Sequence, residues 1–224
     1  MHIGNFINYI IRAKVKYPLS STKRYSALLD IVYKYRVKTI MEIGVYTGRR
    51  AIEMITAASV RYNPKEITYI GFDLFEQMNS DTHEKELSKM PDTMNDINSK
   101  IEVTGVNIYL FKGYSEETLP KMIAQKGDFP PIDFIFIDGG HSIETISSDW
   151  ENARKLMSKH TIVVFDDYYI DCPDLIGKFG CNKIIDSLDK SFYDVELLEA
   201  IDSFDQDRGK LNVQMVRVTL RDNR

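Results

Sequence analysis

Apolar positions along this chain follow two alternating periods, and the switches between them lay out an α/β fold. Ile3, Phe6, Ile7, Ile10 and Ile11 fall at helical spacing, which predicts an amphipathic helix over residues 3–15, stopped by Pro18. A second helix is expected from Thr22 to Tyr35, with Leu28, Leu29, Val32 and Tyr33 inward. The period then changes. Val37–Ile43 is a short β-rich run ending at Gly44, the pattern of a strand buried on both faces. Residues 49–59 return to helix, with Ala51, Ile52, Ile55 and Ala58 on one face. Ile67–Phe72, Asn107–Phe111, Ile132–Ile137 and Thr161–Phe165 read as further strands. Helices are predicted over Glu116–Gln125 and Ser142–Ser158, the second burying Ile143, Ile146, Trp150, Ala153 and Leu156. Such alternation makes a doubly wound, mostly parallel sheet with both faces covered. The tail differs: Asp194–Leu198 and Val213–Leu220, joined by the polar stretch Asp202–Lys210, predict a terminal antiparallel pair. Residues 75–100 are polar and weakly patterned, as expected of a lid or mobile loop, or, more plainly, of disordered decoration.

Composition narrows the class. With 224 residues, 43% hydrophobic and 28% charged, the chain has enough apolar material for one sizeable core. Its 29 basic and 33 acidic residues give a net charge of -4, which disfavours a nucleic-acid grip. The basic run from Arg12 to Arg36 carries apolar spacing and reads as a solvated helix face. Cys172 and Cys181 form neither a disulfide framework nor a zinc motif, so inert thiols in a reducing compartment are expected. No apolar run approaches the roughly 20 residues that span a bilayer. Met1–Tyr17 lacks the long apolar centre and small-residue cleavage site of a signal peptide, so a cytoplasmic, membrane-free location is expected.

The chemistry-bearing residues stand where the predicted strands end. In open parallel sheets ligands bind beyond the carboxyl ends of the strands. Gly44, Asp73, Gly113, Asp138, Asp166 and Asp167 recur there as a series. Glu42-Ile43-Gly44-Val45-Tyr46-Thr47-Gly48 places two glycines in a strand-to-helix turn, where backbone can approach a ligand and helix amides point at it. Its spacing is GxxxG, not the GxGxxG of a dinucleotide site. Asp73 suits the two ribose hydroxyls of an adenosine group. Lys112-Gly113-Tyr114-Ser115 suits the border of an adenine ring. Asp138, Asp166 and Asp167 end neighbouring strands, and three carboxylates in one crevice repel one another unless a cation or protons intervene. An all-oxygen set suits Mg²⁺ or a similar hard ion, which would lower the pKa of a substrate hydroxyl. His141, beside these carboxylates, is the candidate general base.

At these residues the sequence resembles the class I S-adenosylmethionine-dependent methyltransferases, in the branch of macrocin and catechol O-methyltransferase-like proteins. Phe136-Ile137-Asp138-Gly139-Gly140-His141-Ser142 and Phe165-Asp166-Asp167-Tyr168 carry the likeness, which extends over about residues 37–190 and includes Gly180-Cys181-Asn182. The resemblance implies a Rossmann-like, seven-stranded sheet with one antiparallel strand. It implies that Glu42, Gly44, Tyr46 and Gly48 surround the methionine part of the donor, that Asp73 holds its ribose, and that Gly113, Tyr114 and Ser115 flank its adenine. Asp138 and His141 would border the donor and serve catalysis, with Asp138, Asp166 and Asp167 as metal ligands. Arg49 and Arg50 depart from the small residues common after this turn.

The expectation is one methyltransferase domain over 1–224: an N-terminal helical extension (1–36), a cofactor-binding core (37–190) and C-terminal antiparallel strands (191–224). It would move a methyl from S-adenosylmethionine to a sugar or phenolic hydroxyl of a small molecule, with Mg²⁺ assistance. Tyr168, Tyr169 and the lid would contact the acceptor, and the N-terminal helices offer a homodimer surface. The rival readings are a nicotinamide-dependent oxidoreductase, opposed by the missing GxGxxG, and a module that binds the donor without turnover. A base-modifying methyltransferase is opposed by the charge balance and the missing Asn/Asp-Pro-Pro-Tyr/Phe motif.

Overall fold

The computed structural model describes residues 23–125, 129–206 and 209–221; the helix expected over 3–15 lies outside them. The described chain runs α1 (Lys23–Lys34), β1 (Thr39–Ile43), α2 (Arg49–Ala58), β2 (Thr68–Asp73), α3 (Ser80–Glu86), α4 (Met94–Glu102), β3 (Asn107–Lys112), α5 (Ser115–Ala124), β4 (Phe134–Ile137), α6 (Ile143–Ala153), β5 (Ile162–Ile170), α7 (Asn182–Ser187), β6 (Tyr193–Gln206) and β7 (Gly209–Leu220). The strands form one seven-stranded sheet in the order β3-β2-β1-β4-β5-β7-β6. Strands β1 to β5 are parallel, and β7 runs antiparallel to both β5 and β6. This is the expected Rossmann-like sheet with one reversed strand.

Strand periodicity divides the core between the two faces. Ile40, Phe134, Phe136, Ile162 and Val164 point to one side, where α1, α2 and α4 cover them. Met41, Ile43, Ile135, Ile137, Val163 and Phe165 point to the other, under α5, α6 and α7. Apolar residues on both faces of the central strands explain why these segments read as continuous hydrophobic runs. Trp150 of α6 packs on Phe165 and Tyr193, with ring centroids 5.5 and 5.3 Å apart.

Two segments differ from the sequence reading. Residues 75–100 fold: a 3₁₀ turn at Phe75–Gln77 leads to α3, capped by Asn79, and α4, capped by Thr93. Ile97 and Ile101 of α4 are fully buried. The apolar positions are four apart but too few for the period to stand out. The C-terminal hairpin is also longer than its hydrophobic runs, pairing from Tyr193↔Leu220 to Gln206↔Gly209. Backbone pairing continues through polar residues because an antiparallel ladder closes without a buried face. Among the described residues no helix is long and apolar enough to cross a membrane.

Candidate active site

The loops after β1, β2, β3 and β4 are tied to one another at the backbone. Gly44 N–H donates to the Phe72 carbonyl (2.8 Å), Asp138 N–H to Ile43 (2.8 Å) and Gly113 N–H to Asp73 (3.0 Å). Gly44, Asp73, Gly113 and Asp138 therefore share one edge of the sheet. The strand order turns between β1 and β4, and that switch point is where a ligand cleft opens in such sheets. Gly44, at φ 92°, faces Asp138 across it.

Asp73 organises the glycine turn. Its Oδ2 accepts the Val45 and Tyr46 N–H groups (2.7 and 2.8 Å), and its Oδ1 accepts Phe75 N–H (3.0 Å). Burial raises its pKa, and these backbone donors work against that shift. Glu42 lies sealed beneath the turn, with Tyr69 donating its hydroxyl to Oε2 and Oε1 left without a partner among the described residues. Burial pushes its carboxyl up to about 8, against the pull of the Tyr69 hydroxyl. Gly48 caps α2 and Tyr114 precedes Ser115 at the start of α5. Tyr46 and Tyr114 stand exposed at the rim.

The folded 75–100 segment grips this rim at three places. Asp92 N–H donates to the Tyr46 carbonyl (3.1 Å), and Thr82 Oγ1 lies 3.1 Å from the Tyr114 hydroxyl. The third grip is on the loop after β4. Buried Glu86 accepts Ser142 N–H, Ser142 Oγ–H and Thr145 Oγ1–H, each at 3.0 Å. The next residue, Leu87, presents its carbonyl 3.2 Å from His141 Nδ1. A carbonyl only accepts, so Nδ1 carries the hydrogen of that contact and Nε2 is turned inward. There it lies 3.1 Å from Asp167 Oδ2.

Asp138, His141 and Asp167 each offer a ligand atom within 4.8 Å of the others. Burial and the neighbouring carboxylates of Asp166 and Asp167 push the Asp138 carboxyl well above its ordinary value. Asp166 is placed differently. Arg24 and Tyr25 of α1 both donate to it, Arg24 through Nη1 to Oδ1 and Tyr25 through its hydroxyl to Oδ2 (2.9 Å). The same Nη1 reaches Asp167 Oδ1 at 3.0 Å. Consecutive strand residues ordinarily face opposite sides. Here β5 carries a bulge: Asp166 and Asp167 together oppose the single residue Met215 between the pairs Phe165↔Val216 and Tyr168↔Gln214. That extra residue brings both aspartates to one guanidinium, with Asp167 at φ 56°.

The Gly180-Cys181-Asn182 stretch holds the bulge in place. Gly180 N–H donates to the His141 carbonyl (2.9 Å) and Cys181 N–H to the Asp167 carbonyl (3.1 Å). The Asn182 side chain accepts Tyr169 N–H and donates to Tyr169 C=O, both at 2.9 Å. Tyr169 is buried and Tyr168 reaches Asp186 at 3.4 Å. The structure thus brings Asp138, His141 and Asp167 together and gives Asp166 to α1. The basic run from Arg12 to Arg36 reads in sequence as a solvated helix face, but Arg24 within it is buried against Asp166; Tyr25, Glu86 and Leu87 were passed over. A charge at position 24, one turn before the buried Leu28 on the same helical stripe, was the available signal.

A parallel sheet that opens its switch point onto a glycine turn held by a carboxylate, without a dinucleotide fingerprint, is the architecture of the class I methyltransferases. The model of a methyltransferase domain family, methyltransferase family 24, matches residues 41–168, more than half of the chain, and the chain belongs to this family of S-adenosylmethionine-dependent enzymes. Solved structures share the fold at low identity. The O-methyltransferase TomG from Streptomyces achromogenes, in complex with S-adenosylmethionine, is 14% identical with a TM-score of 0.59, covering 98% of this chain and 91% of its own. An O-methyltransferase from Bacillus cereus bound to S-adenosylhomocysteine is 16% identical with a TM-score of 0.58, covering 98% and 92%. CalS11, a TDP-rhamnose 3'-O-methyltransferase of calicheamicin biosynthesis, is 22% identical with a TM-score of 0.51, covering 84% and 77%. No curated protein matches the chain in sequence.

Proposed function

We propose that this chain methylates a hydroxyl of a small molecule, with a divalent ion held by Asp138, His141 and Asp167. The observation that carries the reading is the meeting of His141 Nε2 with Asp167 Oδ2 at 3.1 Å beside Asp138. With Nδ1–H spent on Leu87, Nε2 faces the Asp167 carboxylate, a contact that a proton or a divalent ion satisfies, and Asp138 beside it completes three ligands for the ion. The spacing fits two neighbouring ligands of one octahedral ion, which stand about 3 Å apart for bonds of ~2.1 Å. Two carboxylates suit a hard ion, and the imidazole makes the set fit Mn²⁺ better than Mg²⁺, which keeps to oxygen ligands.

When bound, S-adenosylmethionine supplies an electrophilic methyl, and a divalent ion supplies a lowered pKa for the acceptor hydroxyl. The chain's own contribution is placement. Asp73 and the Val45–Tyr46 amides shape the donor turn, with Glu42 supporting it from below. Tyr114 and Ser115 border the adenine side. Asp138, His141 and Asp167 would hold the ion that orients the acceptor oxygen and offsets its charge, and a free carboxylate oxygen of that set would take the hydroxyl proton. Exposed Tyr46, Leu87 and Tyr114 give that rim an apolar margin, which suits an aromatic or sugar-bearing acceptor. The acceptor named for CalS11 belongs to the same chemical class.

The test is Asp138→Ala. It is expected to lower turnover on a phenolic or sugar hydroxyl by roughly a thousandfold while leaving S-adenosylhomocysteine affinity within about threefold. Full turnover in that variant would remove the rim from the chemistry.

A further inference from the structure

Arg24 is a buried charge outside the donor turn. It sits on the buried stripe of α1, only 8% exposed, where Leu28 and Val32 continue the same face. Three carboxylates surround it: Asp166 and Asp167 on Nη1, and Asp202 of β6, whose Oδ2 lies 3.3 Å from Nε outside hydrogen-bonding geometry. Asp202 also receives the Lys23 N–H through Oδ1 (2.8 Å). The Tyr25 and Phe204 rings flank the guanidinium, 4.9 and 5.7 Å from its carbon. Arg50, at the start of α2, stacks on the other partner of Asp166, the Tyr25 ring, at 3.5 Å, and ion-pairs with buried Glu53. Burial opposes the charge on Arg24, yet its pKa is raised, chiefly by Asp166.

A buried guanidinium so placed does what a second bound ion would do. It balances Asp166 and leaves only one oxygen of Asp167 for the rim. We propose that Arg24 is a resident counter-cation that takes Asp166 out of the metal-binding set, so that helix α1 sets how tightly a divalent ion is held at Asp138, His141 and Asp167. This rests on the metal reading above, and the test separates the two.

Mn²⁺ binding is measured by calorimetry and by electron paramagnetic resonance on the full chain and its variants. The unaltered chain is expected to bind Mn²⁺ at one site that Asp138→Ala abolishes. Arg24→Met is expected to bind it at least about tenfold more tightly, because a like charge within a few ångströms is gone and Asp166 becomes a ligand. Adding Asp166→Asn to Arg24→Met returns the affinity to near the starting value. Asp166→Asn alone, with Arg24 present, leaves the guanidinium without its balancing carboxylate and is expected to weaken Mn²⁺ binding several-fold, below both the unaltered chain and the double variant. Arg24→Lys keeps the charge but loses the two-sided grip, and falls between.

Unchanged or weaker Mn²⁺ binding in Arg24→Met overturns the role of Arg24 while leaving the metal reading standing. Binding in Arg24→Met but not in the unaltered chain supports the role of Arg24 and removes the metal from the native reaction. No binding in either overturns both. If Arg24→Met does not fold, the charge-neutral pair Arg24→Met with Asp166→Asn decides: loss of the Mn²⁺ site there makes Asp166 a ligand and sinks the proposal.

Discussion

Gly44 and Asp138 meet backbone to backbone across the switch point of the sheet, so closely that a Cβ on Gly44 would stand 2.0 Å from the Asp138 carbonyl oxygen and 2.6 Å from Gly139 Cα. Neither neighbour is a flexible side chain, and φ at Gly44 is 92°. Gly44→Ala is therefore expected to lose about 2–3 kcal/mol of stability in urea unfolding. S-adenosylhomocysteine affinity by calorimetry is expected to fall at least about tenfold, because the turn and the Asp138 loop are pushed apart together. An alanine variant with unaltered affinity would mean that the donor does not use this turn.

Glu86 ties the 75–100 segment to the loop that carries His141. Glu86→Ala removes the acceptor for Ser142 N–H and for the Ser142 and Thr145 hydroxyls. A loss of about 2–3 kcal/mol in unfolding is expected, with faster hydrogen exchange over residues 140–145. Glu86→Gln retains an acceptor but turns an amide donor toward these donors, so it is expected to recover only part of the loss. Exchange that stays unchanged in Glu86→Ala would show that the grip does not order the loop.

Asp149 of α6 is fully buried, with the Ser115 hydroxyl beside its carboxylate and neither oxygen in full hydrogen-bonding geometry among the described residues. Burial pushes its pKa from 3.8 up to about 7. Between these values the folded protein binds the proton and the unfolded chain does not, so stability falls as pH rises through this window and levels off above it. Glu42, raised from 4.5 to about 8, acts with the same sign. Asp149→Asn removes the charge and is expected to gain on the order of 2–4 kcal/mol at pH 8 and almost nothing at pH 4. Unfolding midpoints across pH 4–8 measure this; a gain equal at both ends of the range would refute the burial argument.

Asn182 closes two hydrogen bonds on the backbone of Tyr169, just beyond the β5 bulge. Asn182→Ala leaves a buried N–H and a buried carbonyl unpaired, for a loss of about 2 kcal/mol. Turnover is expected to fall with S-adenosylhomocysteine affinity held, since the residue orders the aspartates rather than the donor turn. A parallel loss of donor affinity would place its effect elsewhere.

The parallel sheet and its functional edge were legible because strand ends coincide with a change of period. Ile43 to Gly44, Phe72 to Asp73 and Ile137 to Asp138 each pass from a buried run to a polar or glycine residue. The convergence of Gly44, Asp73, Gly113 and Asp138 follows from parallel register alone. What the pattern did not carry are contacts that cross it. Arg24 and Asp166 are 142 positions apart, and Glu86 and Ser142 are 56 apart. Nothing in a local window ties a charge on a helix to a carboxylate on a distant strand. The division between Asp166 and Asp167 was equally hidden, because strict alternation gives no sign of where a strand takes in an extra residue.

The bulge beside Met215 has a partner on its other flank, where Leu198 to Ala200 of β6 fall between the pairs Leu197↔Val216 and Ile201↔Gln214. The strand between them is thus hemmed by irregularities at one level, with the Gln214 amide donating across to the Leu198 carbonyl (2.6 Å). Removing one residue at that level would restore strict alternation and rotate one of two adjacent acids out of the crevice. A change of length at this level would turn one of the two acids away from Arg24, so the number of residues in this short stretch constrains their arrangement as much as their identity does.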